Sequence, residues 1–129
     1  FCLSEVKIGL VPATISPYVI AAIGERASRR YFTTAERFDA QSAQRLGLVS
    51  EVTEAENLDS VVEKIITALL ANGPAAIKAA KQVIFDVSGK PIEQDLIDQT
   101  CKTIAAIRVS DEGQEGLNAF LEKRSPKWI

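Results

Sequence analysis

The clearest hydrophobic pattern lies between residues 57 and 72. Apolar side chains recur there at helical spacing, which is typical of a helix with one apolar face. Gly73 ends this predicted helix, and Pro74 opens the next one, which is expected to run to about Val87. The apolar positions of the first helix are Leu58, Val61, Val62, Ile65, Ile66, Leu69 and Leu70.

A glycine followed closely by a proline again separates two predicted helices toward the end of the chain. Gly89 and Pro91 separate the preceding helix from a long predicted helix over residues 92–109. Ser110 is the predicted N-cap of the last helix, which has acidic side chains in its first turns and ends near Lys123.

Short helices are also predicted in the first half of the chain. Ser16, followed by proline, is the expected N-cap of a helix that Gly24 divides into two. Asp39 is the expected N-cap of another helix, which Gly47 ends.

Two segments read as short β elements. Residues 1–11 mix alternating and apolar positions, as an extended segment would, until Gly9 and Pro12 break the pattern. A second short strand is predicted over residues 48–52. Two such strands cannot form a sheet alone, and the chain begins at an apolar residue without Met. We therefore predict a mostly α chain, with short β elements at the start and then helices, belonging to something larger.

The composition narrows the chemistry. The 129 residues contain no histidine, and the formal net charge is −2. The absence of imidazole argues against catalytic triads and His-ligated metal sites, so proton transfer would fall to carboxylates, Lys or Tyr. We expect no metal site. Nothing in the charge indicates nucleic-acid binding, and no apolar run is long enough to span a bilayer.

Cysteine usage bears on the compartment. Cys2 and Cys101 lack metal-type spacing and are expected to be free thiols that fill small core positions. With no recognisable signal peptide, the expected location is cytoplasmic.

Four segments, in order, resemble the enoyl-CoA hydratase/isomerase (crotonase) family. Residues 1–12, FCLSEVKIGLVP, resemble the segment that carries the family's second catalytic glutamate and the turn after it. Residues 33–49 resemble a family signature that ends in Gly-Leu-Val, and residues 73–81 resemble the next helix pair. Residues 110–124, SDEGQEGLNAFLEKR, resemble the family's C-terminal ending. The sequences of these segments are similar to those of bacterial family members of the methylglutaconyl-CoA hydratase type.

The resemblance implies a fold and an assembly. The chain would be the C-terminal part of a crotonase-type α/β (ββα-superhelix) fold. Residues 1–52 would end the catalytic core, and residues 53–129 would form a helical region for assembly and CoA contact. The expected assembly is a homo-oligomer, either a trimer or a dimer of trimers.

The resemblance also implies a substrate and the catalytic groups that act on it. The substrate would be an acyl-CoA, with coenzyme A as part of the substrate and no separate cofactor, in fatty acid metabolism or branched-chain amino acid degradation. The first glutamate and the backbone N–H donors of the oxyanion hole would lie in a preceding half.

Glu5 is the predicted catalytic residue. A glutamate near the end of a strand is usually a solvated surface residue. The resemblance instead implies a general acid/base beside the double bond of an enoyl thioester, a role that needs an apolar surround. Leu3, Ile8 and Leu10 are expected to supply part of that surround.

Three further residues are candidates for substrate binding. On the last helix, Phe120 and Lys123 are three positions apart, and their ordinary roles would be a core side chain and a cation at the helix end. The resemblance implies instead that they contact the adenine and phosphates of CoA in a neighbouring subunit's site. Tyr18 is a candidate for lining the acyl pocket, although a Tyr on an apolar helix face is more often packing.

Three functions remain open from the sequence. The first is a lyase that adds water to a 2-enoyl-CoA. The second is another reaction on the same scaffold, such as isomerisation, decarboxylation or thioester hydrolysis, because fold does not fix chemistry. The third is a catalytically inert helical unit that only self-associates, since Glu5 alone is half of the implied catalytic pair.

Overall fold

The computed structural model describes residues Phe1–Ile129 and contains helices and turns but no strand. The predicted short β elements are therefore wrong, whereas the predominance of helix is confirmed. The chain separates into two compact units, Phe1–Asn57 and Leu58–Ile129. The helices are α1 (Ser16–Thr34), α2 (Ala40–Arg45), α3 (Leu58–Leu70), α4 (Pro74–Val87), α5 (Gln94–Arg108) and α6 (Asp111–Glu122), and two short 3-10 helices cover Glu5–Ile8 and Ala55–Asn57.

The first segment forms a 3-10 helix over Glu5–Ile8 in place of the predicted strand. Its hydrogen bonds are local, because the N–H of Lys7 donates to the Ser4 carbonyl and the N–H of Leu10 donates to the Glu5 carbonyl. Gly9 closes the turn with φ of +77°, a conformation that glycine adopts without strain. The alternation of side chains was misleading. A strand needs hydrogen bonds to the backbone of a partner strand, whereas the backbone groups of this segment form hydrogen bonds with one another.

The second predicted strand, over residues 48–52, is also absent. The N–H of Leu48 donates to the carbonyl of Ala43 at 2.9 Å and so satisfies a free carbonyl at the end of α2. Gly47, with φ of +82°, makes the turn that brings Leu48 into this position. The segment thus serves as a helix end.

The first unit has a small apolar core built around α1. Gly24 lies inside α1 with φ of +77° and ψ of 163°, which confirms the predicted break. Ser16 is not the N-cap, because its hydroxyl donates to the Ala13 carbonyl and Ile15 occupies the cap position. Asp39 does cap α2, accepting from the N–H of Ser42 at 2.8 Å. The buried core cluster consists of Val19, Ile23, Tyr31, Phe38 and Ala43.

In the second unit, helix boundaries follow the predicted signals. Gly73 precedes Pro74 at the start of α4, and the hydroxyl of Ser110 accepts from the N–H of Gly113 at 3.1 Å, which confirms the predicted cap of α6. Helices α3, α4 and α5 contain no buried residue. Their apolar faces are exposed, and they include Leu58, Val62, Ile65, Ile66, Leu69, Ile84, Phe85, Ile97 and Ile104.

The structure bears on the predictions for the two cysteines and for membrane-spanning segments. Cys2 and Cys101 are free, as predicted, but both are exposed, so the predicted core positions are wrong. No single helix is long and apolar enough to cross a membrane. The segments Ala55–Leu70 and Pro74–Val87 together have the length and apolar composition of a membrane span, but the chain bends by 103° between them. Core helices of other proteins can have the same length and composition.

Candidate active site

Glu5 is the first residue of the 3-10 helix Glu5–Ile8 and is half-buried. Its carboxylate oxygen Oε2 is shielded from solvent and has no hydrogen-bond partner. A carboxylate oxygen removed from water without a partner is unfavourable, and nearly all buried polar atoms in proteins find one. Such an exception is typical of a group that acts on a ligand.

The three residues predicted to surround Glu5 differ in exposure. Leu3 packs against the core cluster of the first unit, whereas Ile8 and Leu10 are 75% and 59% exposed. In the 3-10 helix Glu5–Ile8, successive side chains point around the axis instead of to alternate sides of a strand. The apolar surround of Glu5 stays a prediction.

Tyr18 lies in the first turn of α1 and is 76% exposed. It does not belong to the core cluster, so the ordinary packing role does not apply within this chain. The role of Tyr18 in the acyl pocket stays a prediction.

The end of α6 presents the other two predicted residues. Phe120 is 81% exposed and Lys123 is exposed, whereas Ala119 is buried at 1%. The N–H of Arg124 donates to the Ala119 carbonyl at 3.0 Å, and the N–H of Lys123 donates to the Phe120 carbonyl at 3.3 Å. This pattern is a Schellman ending, which requires a left-handed residue at position 123.

Lys123 adopts that left-handed conformation, with φ of 55° and ψ of 39°. Glycine is the usual residue there because a side chain makes the conformation unfavourable. Phe120 is exposed and is therefore not a core residue of this chain, and the roles of Phe120 and Lys123 in binding CoA stay predictions.

A cluster of charges that the sequence reasoning missed lies beside Lys123. The two carboxylate oxygens of Glu115 accept from Nη1 and Nη2 of Arg124 at 2.7 and 3.1 Å. The backbone N–H of Lys127 donates to the same carboxylate at 3.1 Å. Hydrogen bonds from Arg124 lower the pKa of Glu115 to about 2, and the same contact raises the pKa of Arg124 above its ordinary value.

Little in the sequence indicated this cluster. Glu115 and Arg124 are nine positions apart, a separation that no helical periodicity brings together. The contact forms because the left-handed turn at Lys123 reverses the chain direction beyond α6. Only that turn, which is unusual for a lysine, could have indicated it.

Glu112 was likewise missed. Its carboxylate accepts from the backbone N–H groups of Ala75 and Ala76 at 2.9 and 2.7 Å, so a side chain of α6 caps the first turn of α4. A β-carbon at Gly73 would overlap this carboxylate. The Gly73-Pro74 pair thus leaves space for the cap as well as marking the helix start.

The predicted residues fall in both units. Glu5 and Tyr18 belong to the first unit, and Phe120 and Lys123 belong to the second. No group of three or more acidic or cysteine side chains is placed to hold a metal ion.

Comparison with known proteins identifies the family. The family model for enoyl-CoA hydratase/isomerase matches residues 1–129. A solved enoyl-CoA hydratase from Shewanella pealeana is 52% identical to the chain, with a TM-score of 0.92, over 99% of this chain and 48% of that one. The structural likeness shows that the chain has the crotonase fold over about half the length of the solved structure.

Curated relatives carry both hydratase and isomerase names. A 2,3-dehydroadipyl-CoA hydratase from Escherichia coli is 26% identical over 98% of this chain and 49% of its own. A trans-2-decenoyl-(acyl-carrier-protein) isomerase from Streptococcus mutans is 29% identical over 99% of this chain and 49% of its own. The chain spans about half the length of the curated relatives it matches, and it belongs to the enoyl-CoA hydratase/isomerase (crotonase) family.

Proposed function

We propose that the complete protein adds water to the double bond of a 2-enoyl-CoA thioester, with Glu5 as a proton-transfer residue. The observation that carries the proposal is the shielded, unpartnered Oε2 of Glu5 in a chain of this family. A hydrogen-bond acceptor that no protein group occupies is free to bind water or to exchange a proton with substrate.

The chemistry assigns a definite task to Glu5. Water forms a C–O bond at C3 of the substrate and loses a proton to a carboxylate. The electron pair of the double bond moves to C2 and the thioester, giving an enolate that backbone N–H donors stabilise. C2 then gains a proton, and we assign its delivery, or its removal in the reverse direction, to Glu5. The other carboxylate and the backbone donors are expected outside residues 1–129.

Residues of α6 are proposed to bind the CoA part of the substrate. Phe120 offers an exposed ring for stacking against adenine, and Lys123 offers an exposed ammonium for phosphate. We propose that they serve the site of a neighbouring copy in a trimer or a dimer of trimers. The exposed apolar faces of α3, α4 and α5 support assembly, because faces of this kind usually mark protein contacts. Tyr18 is proposed to contact the acyl group.

Two finer proposals concern substrate and compartment. Branched and straight 2-enoyl-CoA thioesters are both proposed as substrates, in fatty acid or branched-chain amino acid degradation. Free, exposed Cys2 and Cys101 support a reducing compartment such as the cytoplasm.

Isomerisation is the second candidate, favoured by the relative from Streptococcus mutans that carries an isomerase name. Both reactions pass through an enolate, but isomerisation needs a single proton-transfer group and adds no atoms. Glu5 alone satisfies that smaller requirement.

The mass of the product separates the two reactions. The complete protein is incubated with crotonyl-CoA and, in parallel, with a 3-enoyl-CoA in ¹⁸O-labelled water. Hydration gives a product heavier by one labelled water. Conversion of the 3-enoyl thioester to the 2-enoyl thioester without incorporation of ¹⁸O would establish isomerisation instead.

A further inference from the structure

The charges at the end of α6 are distributed unevenly among three neighbouring cations. Arg124 contacts the carboxylates of both Glu115 and Glu122, and Lys127 Nζ lies 3.7 Å from Glu115 Oε2. Lys123 takes part in none of the ion pairs of the structure. Its ammonium is therefore the positive charge in this turn that is not already neutralised.

Both carboxylate oxygens of Glu115 are occupied by hydrogen bonds from this chain. Its side chain is only 16% exposed, and its two oxygens accept three hydrogen bonds, two from Arg124 and one from the backbone of Lys127. The paired, parallel bonds from a guanidinium fix geometry as well as charge. Glu115 thus holds the segment that follows Lys123 against α6 and is not itself open to a ligand.

Lys123 is held between two fixed elements. On one side are the hydrogen bonds that end α6, and on the other is Arg124, which Glu115 fixes. This arrangement stabilises a lysine with φ of 55°, where glycine would be the easier choice. Local strain of this kind persists when the surroundings enforce it, and it is common at functional positions.

We infer that Glu115, acting through Arg124, is a positioning residue that presents Lys123 to the phosphates of CoA. The inference rests on the CoA contact proposed above for Lys123. Glu115 has two effects: it fixes the backbone at the lysine, and it pairs with the guanidinium of Arg124 so that phosphate binds Lys123 instead of Arg124.

The test uses the complete protein and measures the dissociation constant of CoA by calorimetry, together with KM and kcat for crotonyl-CoA. Lys123→Ala is expected to weaken CoA binding about ten-fold, as the loss of a charged hydrogen bond does. Glu115→Gln is expected to weaken it about five-fold, with kcat nearly unchanged, and to have no further effect in the Lys123→Ala protein. Crotonyl-pantetheine, which has no nucleotide phosphates, should show no change in KM with either variant.

Glu112→Ala is the matched control. Glu112 also fixes α6, but at its other end, so its loss lowers stability without a direct effect at Lys123. CoA affinity should stay within about two-fold of the parent. Arg124→Lys keeps the charge but not the paired bonds, and it should weaken CoA binding in the same direction as Glu115→Gln, so the inference remains testable if Glu115→Gln does not fold.

The possible results separate the two proposals. Unchanged CoA binding in Lys123→Ala would overturn the proposed CoA contact and the inference with it. Weakened binding in Lys123→Ala, combined with no effect of Glu115→Gln or with an equal effect in the Lys123→Ala background, would overturn the positioning role of Glu115 alone.

Discussion

The carboxylate of Glu112 occupies the space that a β-carbon at Gly73 would need, and it accepts hydrogen bonds there from the first turn of α4. One side chain thereby joins the beginnings of α4 and α6. Gly73 itself has φ of −60°, so its conformation does not require glycine. The requirement comes from the neighbouring carboxylate.

Gly73→Ala is expected to displace the carboxylate of Glu112 and to lower the free energy of unfolding by about 1 kcal/mol, the usual value of a helix cap. Chemical denaturation of the complete protein measures the change. In a Glu112→Ala background the same substitution should be nearly neutral. Additive effects of the two changes would contradict the shared space.

Gly113→Ala is expected to be more damaging. A β-carbon at position 113 would overlap the backbone carbonyl of Ile107 and press on that of Arg108. Backbone atoms cannot move aside as the end of a side chain can, so we expect a loss of about 3 kcal/mol. Asn118→Ala, at an exposed position of the same helix, is the control and should change stability little. Equal stability of the two variants would refute the close approach of α5 and α6 at this point.

Lys123→Gly should have opposite effects on stability and binding. Removing the side chain from a residue with φ of 55° should stabilise the protein by about 1 kcal/mol. The same change removes the ammonium and should weaken CoA binding about ten-fold. Lys123→Ala separates the effects, because it removes the charge but retains the unfavourable backbone. Thermal unfolding and CoA titration of both variants are the measurements, and a Lys123→Gly protein less stable than Lys123→Ala would contradict the strained backbone.

The Glu115 carboxyl links stability to pH. Its pKa falls from 4.5 to about 2 because of hydrogen bonds from Arg124. A lowered pKa in the folded state means that the contribution to stability is complete above about pH 4.5 and is lost as the pH falls toward about 2. The pKa values of Glu36 and Asp39 are also lowered, by Arg30 and by Ser42, and they act in the same direction.

The specific share of Glu115 is found by comparison with Glu115→Gln. Unfolding free energies measured at several pH values between about 4.5 and 2 should fall less steeply in the variant than in the parent. Identical slopes would mean that the ion pair with Arg124 does not form in solution.

Local signals accounted for most of the helix boundaries. Asp39 and Ser110 cap their helices through contacts with residues only a few positions away, and Gly73-Pro74 is a local signal for a helix start, so the sequence alone was sufficient to place these boundaries. The first segment was misjudged because alternation over residues 1–8 is too short to distinguish a strand from a 3-10 turn. What decides between them is whether a partner strand is available, and a single segment does not carry that information.

The site was only partly predictable for the same reason. Glu5, Phe120 and Lys123 were selected by resemblance to a family, and residues 1–129 do belong to that family. Glu112 and Glu115 could not be selected, because their partners lie 36 or 37 and nine positions away and are brought close only by turns between helices. The exposure of Phe120 and of the apolar faces of α3, α4 and α5 was likewise not evident from their periodicity, which is the same for a buried face and for one that awaits a partner.

The most direct test of proton transfer by Glu5 is the turnover number of Glu5→Gln in the complete protein, measured with crotonyl-CoA beside Glu51→Gln, an exposed glutamate of the same unit. We expect kcat to fall about 10²- to 10⁴-fold for Glu5→Gln, the usual contribution of a general acid or base, with an unchanged unfolding temperature. Glu51→Gln should retain full activity. Turnover by Glu5→Gln equal to that of the parent would contradict the assignment of proton transfer to Glu5.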